Sequence, residues 1–346
     1  MPLLDRLPPW AGLGVVVALL ALVVGPQLGR LEFFDGVEHF NLATVQEMRR
    51  AEAEGKPVAW MLPTLQGEAR VVKPPLAAWV AATLVRPGDV AAISTPGRAD
   101  RDAAVGHFAF LARIPTLACS ALLLAGAFVL GWAVTGSARV GAVAAAMCGG
   151  TAIFFQQGRR ATTDVQLALW VTWANALLAA GVFRGRAVLG FVVGGLALGL
   201  ASMAKGPHIA VLMTLVPLGV HAAAGRWAFG PAGRRSPRDR RVVVAVLAGV
   251  VLAVAVGLWW YAYVAARVPG IWDIWYREVT RKDAQVGRNV MAADPWFAYA
   301  ALFGLLLPWT GWLLVGAGWA VYSALCARRR RADSPAGPPP FAASEA

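Results

Sequence analysis

The chain has 346 residues, 58% of them hydrophobic and only 15% charged, with a mean hydropathy of +0.58. That balance is too apolar for an ordinary water-facing surface and excludes disordered, collagen-like and disulfide-stapled secreted classes, so the sequence predicts an all-α polytopic membrane protein. The net charge of +13 does not point to nucleic acid, because the basic residues stand between apolar runs and not on an aromatic-interleaved face; lipid headgroups and phosphorylated lipids are the partners that fit.

Runs of roughly 17 or more predominantly apolar residues predict about eight spans, near 10–29, 111–133, 140–157, 164–182, 187–204, 207–224, 242–264 and 296–320. The first is span-length and lacks a small-residue cleavage site, so it reads as a span and not as a signal peptide. Arg139, Arg184 and Arg186, the 226–241 loop and the Arg328–Arg331 run fall on one side, which the positive-inside rule makes cytoplasmic, with both termini. The other side receives a long first outer loop (30–110), the 159–164 and 205–208 turns, and a last outer loop (265–295). Residues 1–327 form one membrane module, and 328–346, rich in Pro, Ala and Gly, is expected to be a disordered cytoplasmic tail. Cys119, Cys148 and Cys326 lie in or beside apolar runs and read as small core hydrophobes.

In the first outer loop, Val37, Phe40, Thr44, Met48 and Ala51 recur at three- and four-residue steps, predicting an interfacial helix over 37–54. Asp35 and Glu38 open it. Their spacing suits a capping box, and equally a general base at the membrane face. An extended segment over 58–68 ending in a turn follows, and then Lys73-Pro74-Pro75, where the prolines hold Lys73 at a rigid corner and start the next helix. That lysine either snorkels to the interface or meets a phosphate.

Charges recur at the outer span ends. Asp164 follows Arg159-Arg160-Ala161-Thr162-Thr163 and is either a helix cap or a second acid beside two anion-binding arginines. Lys205-Gly206-Pro207-His208 separates two spans; the lysine snorkels or binds a phosphate, to which His208 can donate a hydrogen bond. In the last loop Arg277, Arg281 and Lys282 are candidates to close over a lipid-linked phosphate, with Trp272 or Tyr276 stacking on a sugar; an interfacial aromatic belt is the alternative. Short outer turns are normally poor in Lys and Arg, so Arg159, Arg160 and Lys205 mark a function there.

Taken in order, these pieces resemble the bacterial membrane glycosyltransferases of the GT-C architecture, especially the lipid A aminoarabinose transferases and the protein O-mannosyltransferases. The resemblance covers about residues 30–312 and rests on Gln46-Glu47-Met48, Leu62 to Glu68, Lys73-Pro74-Pro75-Leu76, Ala112-Arg113-Ile114-Pro115, Gly158 to Asp164, Lys205-Gly206-Pro207 and Leu307-Pro308-Trp309. It implies transfer of a sugar from a polyprenyl phosphate to an acceptor hydroxyl of a lipid, glycan or protein on the outer face of a bacterial inner membrane. It also implies a cell-envelope role in lipid A or protein glycosylation. Asp164 takes the family's second acidic position, and Lys73 and Lys205 its phosphate-side lysines. Three departures stand out. The family opens its first-loop helix with Asp-Glu, where Val37-Glu38 stands here, so Glu38 inherits the role of base unless Asp35 has taken it. Val72 replaces the Glu that aminoarabinose transferases carry before the lysine. The chain is also shorter than many relatives, which leaves room for a partner subunit at the acceptor.

The chemistry suits these residues. A polyprenyl phosphate needs no general acid to leave; it needs cations (Lys73, Lys205, Arg281, with Arg159 and Arg160 near) and a carboxylate to take the acceptor proton, and single displacement inverts the anomeric centre. The sequence calls for no cofactor, and His39, His107, His208 and His221 form no usual metal-ligand spacing. Two rivals remain: a transporter or flippase of a lipid-linked substrate, which predicts charges near mid-span and repeat symmetry, and a non-catalytic scaffold derived from the enzyme.

Overall fold

The computed structural model describes residues 9–30, 36–94, 97–223, 239–280, 301 and 303–332. The architecture is an all-α membrane bundle. The described helices are α1 (Pro9–Val24), α2 (Gly36–Ala53), α3 (Leu76–Ala82), α4 (Pro87–Ala92), α5 (Arg98–Thr135), α6 (Ala138–Gly149), α7 (Ala152–Gln157), α8 (Thr163–Arg184), α9 (Gly194–Lys205), α10 (Pro207–Ala223), α11 (Arg240–Ala265), α12 (Ile271–Thr280) and α13 (Thr310–Ala332). A π-helical turn, Val188–Val193, leads into α9. Among the described residues five helical stretches are long and apolar enough to cross a membrane: Trp10–Gln27, Arg98–Thr135, Thr163–Arg184, Val188–Lys205 and Arg240–Ala265. Shorter apolar helices, Ala138–Gly149 and Pro207–His221, stand where two more spans were expected.

Several boundaries differ from the expected ones. The second span begins well before 111, because α5 runs unbroken from Arg98 and keeps Pro115 inside it. The expected span at 140–157 is broken at Gly150 and Thr151, where the Thr151 hydroxyl accepts from the Phe154 N–H and starts a new helix. The last expected span, 296–320, is interrupted: residues 303–305 are helical, a turn follows over Leu307-Pro308-Trp309, and α13 begins at Thr310 and stays helical through the arginine run to Ala332. Residues 333–346 lie outside the described residues.

The membrane helices pack in sequence order, α5 on α8, α8 on α9 and α9 on α11. Backbones approach closely at the last of these contacts: a Cβ on Gly195 would stand 2.1 Å from the Gly249 carbonyl oxygen. Only glycine permits this spacing, the usual device where lipid supplies no hydrophobic drive between helices. At the other end of α8, Arg184 donates to the carbonyls of Ala133 (2.8 Å) and Trp132 (3.3 Å) and ties the helix to the end of α5.

The segment between α1 and α5, expected as the first outer loop, folds over one end of this bundle. Its α2 is helical as expected, with Thr44 and Met48 of the expected stripe buried, but the packed stripe is rotated: Glu38, Asn41, Leu42 and Val45 are buried beside them, while Phe40 is half exposed. Two polar residues displace the apolar stripe because each finds buried partners, described below. The segment expected to be extended is instead a short 3-10 turn (Pro57–Trp60) followed by a hairpin in which Thr64–Leu65 (β1) pairs antiparallel with Glu68–Ala69 (β2). Glu47 holds the hairpin, accepting from the Thr64 hydroxyl and the Gln66 N–H at 2.5 Å each and from the Gly67 N–H at 3.4 Å. Arg70 adds a bond to the Thr44 hydroxyl at 3.1 Å.

Candidate functional site: a cationic cavity opening into an apolar groove

Two tryptophans pin the loop to the bundle. Trp260 of α11 donates to the Met61 carbonyl at 2.9 Å, and Trp275 of α12 donates to the Val71 carbonyl at 2.8 Å. Val71, Met203, Trp260, Val264 and Ile271 pack as one buried cluster beneath. With Val71 fixed, Pro74 and Pro75 turn the chain into α3, and Lys73 projects at the corner so formed. Lys205 ends α9; the turn beside it needs Gly206 at φ +130, a conformation closed to other residues, and Pro207 starts α10.

These two corners form the wall of one cavity of about 520 Å3, lined by Lys73 and Lys205 together with His208, Tyr261, Trp272 and Trp275. Apart from the two lysines and His208 the lining is apolar and aromatic. Trp275 stands edge-on to both Trp272 (5.3 Å between ring centres) and Tyr261 (5.1 Å), giving a continuous aromatic wall. Lys205 is paired with Asp164, whose side chain remains 41% exposed, so an acid stands at the cavity through the lysine. A second, apolar groove of about 420 Å3 runs between α9, α10 and α11 and shares Pro207 and Leu258 with the cavity.

Glu38 is not in this cavity. It is fully buried: Arg113 clamps both its oxygens, at 2.8 and 2.9 Å, and the Ala161 N–H donates to it at 3.0 Å. Arg113 also donates to the Leu28 carbonyl at 2.6 Å. Glu38, a candidate base in the sequence, is thus enclosed by Arg113 and the Ala161 N–H and stands outside the cavity lining. Together with Asn41, which donates to the Ala161 carbonyl at 2.8 Å, and Ser120, which donates to that of Gly158 at 2.6 Å, it anchors the 158–162 turn from which Asp164 begins α8.

The remaining expected residues divide. Arg159 lies over the Phe155 ring at 4.9 Å, outside the cavity lining; burial and the nearby Arg160 and Arg113 charges hold its pKa below the ordinary guanidinium value, though arginine stays protonated throughout. Arg160 and Tyr276 are likewise absent from the lining. Asp164 stands in the first turn of α8, with Thr162 at the capping position making no side-chain cap bond. Asp35 and Arg281 lie outside the described residues. Tyr261 and Trp275 were not singled out in the sequence. Tyr261 was hidden inside an apolar span, although the run Trp259-Trp260-Tyr261 near its outer end carries the signal of an interfacial aromatic belt. Among the described residues no group of three or more His, Cys, Asp or Glu is placed to hold a metal ion.

Comparison with solved structures decides the fold. The apo crystal structure of ArnT from Cupriavidus metallidurans matches with a TM-score of 0.57 over 87% of this chain and 49% of that one, at 19% identity. The fold is similar to that of about half of ArnT. The structure of the same protein bound to undecaprenyl phosphate matches with a TM-score of 0.57, covering 87% and 50%, at 18% identity. The expected GT-C-like membrane architecture is therefore present, and the chain spans about half the length of the ArnT structures it matches. No protein-family model and no curated protein matches the sequence. The ArnT likeness carries the fold alone; the chemistry has to be argued from the site.

Proposed function

We propose that the chain is a membrane glycosyltransferase that takes a sugar from a polyprenyl-phosphate donor bound at the Lys73–Lys205 cavity and passes it to an acceptor hydroxyl. The observation that carries this reading is the continuity of a cationic cavity with an apolar groove through Pro207 and Leu258. A phosphate fits the first and an isoprenoid chain the second. ArnT, with the same fold, has been crystallised with undecaprenyl phosphate, a ligand of this kind.

Each residue then has a role. Lys73 and Lys205 stabilise the departing phosphate, His208 donates to it, and Arg281 of the last outer loop is proposed to close over it. The Trp272–Trp275–Tyr261 wall stacks on the sugar and holds its anomeric carbon open to attack, with Tyr276 towards the acceptor. Asp164 is the proposed base. Lys205 is paired with it in the structure; arriving phosphate gives Lys205 a second anion and releases the carboxylate to accept the acceptor proton as the hydroxyl oxygen attacks the anomeric carbon. The bond to the phosphate oxygen breaks, the lysines hold the polyprenyl phosphate formed, and the anomeric centre inverts. The site faces outward if the arginine-rich end is cytoplasmic.

The test is release of polyprenyl phosphate from labelled polyprenyl-phosphate sugars by the purified protein in lipid, with a membrane extract supplying acceptor and any partner subunit. Wild type releases it, and Asp164→Asn lowers the rate at least about a hundredfold while still binding undecaprenyl phosphate. Loss in Asp35→Asn with retention in Asp164→Asn moves the base to Asp35. Absence of release with every donor by folded protein overturns the transferase reading; donor movement across the bilayer under those conditions supports the transporter, and its absence the scaffold.

A further inference from the structure

A second groove lies at the opposite end of the bundle and shares no lining residue with the cavity or the apolar groove. It has a volume of about 370 Å3, runs between the π-helical turn and the first turns of α11, and is walled by Val188, Val192 and Val244, with Arg240 and Arg241 at its mouth. From Arg241 to Ala262, which lines the Lys73–Lys205 cavity, the rise along α11 is about 30 Å, so the two sites face opposite membrane surfaces. Arg184 and Arg186 mark the same end, with their guanidinium carbons 5.9 and 5.5 Å from the Trp132 ring centre in the manner of an interfacial anchor.

The two arginines are exposed, and among the described residues neither guanidinium makes an ion pair or hydrogen bond. The acid nearest in sequence, Asp239, caps α11 by accepting the Arg241 N–H at 2.9 Å. Two adjacent forked donors over an exposed apolar trough, Val188 being 66% and Val244 57% exposed, complement a molecule with a phosphate at one end and an acyl chain at the other. We infer that this groove binds an anionic phospholipid of the leaflet opposite the proposed donor site, with the phosphate held by Arg240 and Arg241 and a chain laid along Val188, Val192 and Val244. The inference does not depend on the transferase reading.

Native mass spectrometry of the full chain, titrated with phosphatidylglycerol or phosphatidylcholine, tests it. The wild type binds phosphatidylglycerol at least tenfold more tightly than phosphatidylcholine. Arg240→Gln/Arg241→Gln removes that preference, and Val244→Trp, which fills the trough without changing charge, weakens binding by a similar factor. Arg241→Gln alone lowers it at least threefold, whereas Arg139→Gln, which removes an equal charge outside the groove, changes it less than twofold, and all these variants keep wild-type binding of undecaprenyl phosphate. Equal affinity for the two lipids overturns the inference, as does an unchanged preference in the double variant. A loss in Arg139→Gln as large as that in Arg241→Gln overturns it in favour of diffuse surface charge; displacement of phosphatidylglycerol by undecaprenyl phosphate, or an arginine-dependent dimer, overturns it in favour of those occupants.

Discussion

Arg113 and Glu38 form a pair with almost no exposure, 1% and 0% at the side chains. In such a pair removal of one partner costs about 3–5 kcal/mol, because the other is left as an uncompensated buried charge, whereas replacing both with apolar groups of like volume is close to neutral. Arg113→Ala is therefore expected to lower the thermal unfolding midpoint in detergent sharply, and Glu38→Leu/Arg113→Met to recover much of the loss. Recovery stays incomplete because the Ala161 N–H loses its acceptor. The double variant also separates roles: donor turnover by this folded protein would make Glu38 a positioning residue, and a folded but inactive one would keep it as a candidate base. At the cavity, Lys205→Ala removes a charge-assisted contact worth about 1.5–3 kcal/mol. Undecaprenyl phosphate binding, followed by competition with a labelled analogue, should weaken about tenfold or more, and an unchanged affinity would remove Lys205 from the phosphate site.

The outer-loop hairpin and the α9–α11 contact each depend on a local device. Glu47 alone satisfies the Thr64 hydroxyl and the amides of Gln66 and Gly67, and Gln66 holds a positive φ of +56 that those bonds help to maintain. Glu47→Ala should raise hydrogen-exchange rates at the 64–69 amides while leaving α8 and α9 protected. Since the hairpin leads directly to Lys73, lipid-phosphate affinity should fall with it. Gly195 is less forgiving. A side chain there meets the Gly249 backbone well inside contact distance, so Gly195→Leu forces α9 from α11 and opens the apolar groove between them. The expected result is poor recovery of folded protein, read by size-exclusion chromatography in detergent.

At the scale of the whole molecule, the proposed function depends on two voids being one path. Leu258 lines both the cavity and the groove, and Leu258→Trp should plug their junction without touching a charge. Long-chain undecaprenyl phosphate should then bind at least tenfold more weakly, while a short-chain isoprenyl phosphate, which needs only the cavity, keeps its affinity. An equal loss for both lengths would mean that the groove does not hold the chain.

The sequence was enough to determine the class, the positions of most membrane helices and the two lysine corners, because these follow from local chemistry: span length, proline after Lys73, and glycine followed by proline after Lys205. It also carried the α2 helix and the order of motifs that resembles GT-C enzymes. The rotation of α2 was not legible, since Glu38 and Asn41 turn inward only when Arg113 and the 158–162 turn are present to receive them. Nor was the burial of Glu38 against Arg113, because a carboxylate reads alike in sequence whether it meets solvent or a buried guanidinium. The membership of Tyr261 and Trp275 in the cavity, and the meeting of Lys73 with Lys205, were decided by tertiary structure alone. Periodicity and caps reveal what a segment does along its own axis. Which segments share a wall is set by contacts such as Trp275 to Val71, between residues far apart in the chain.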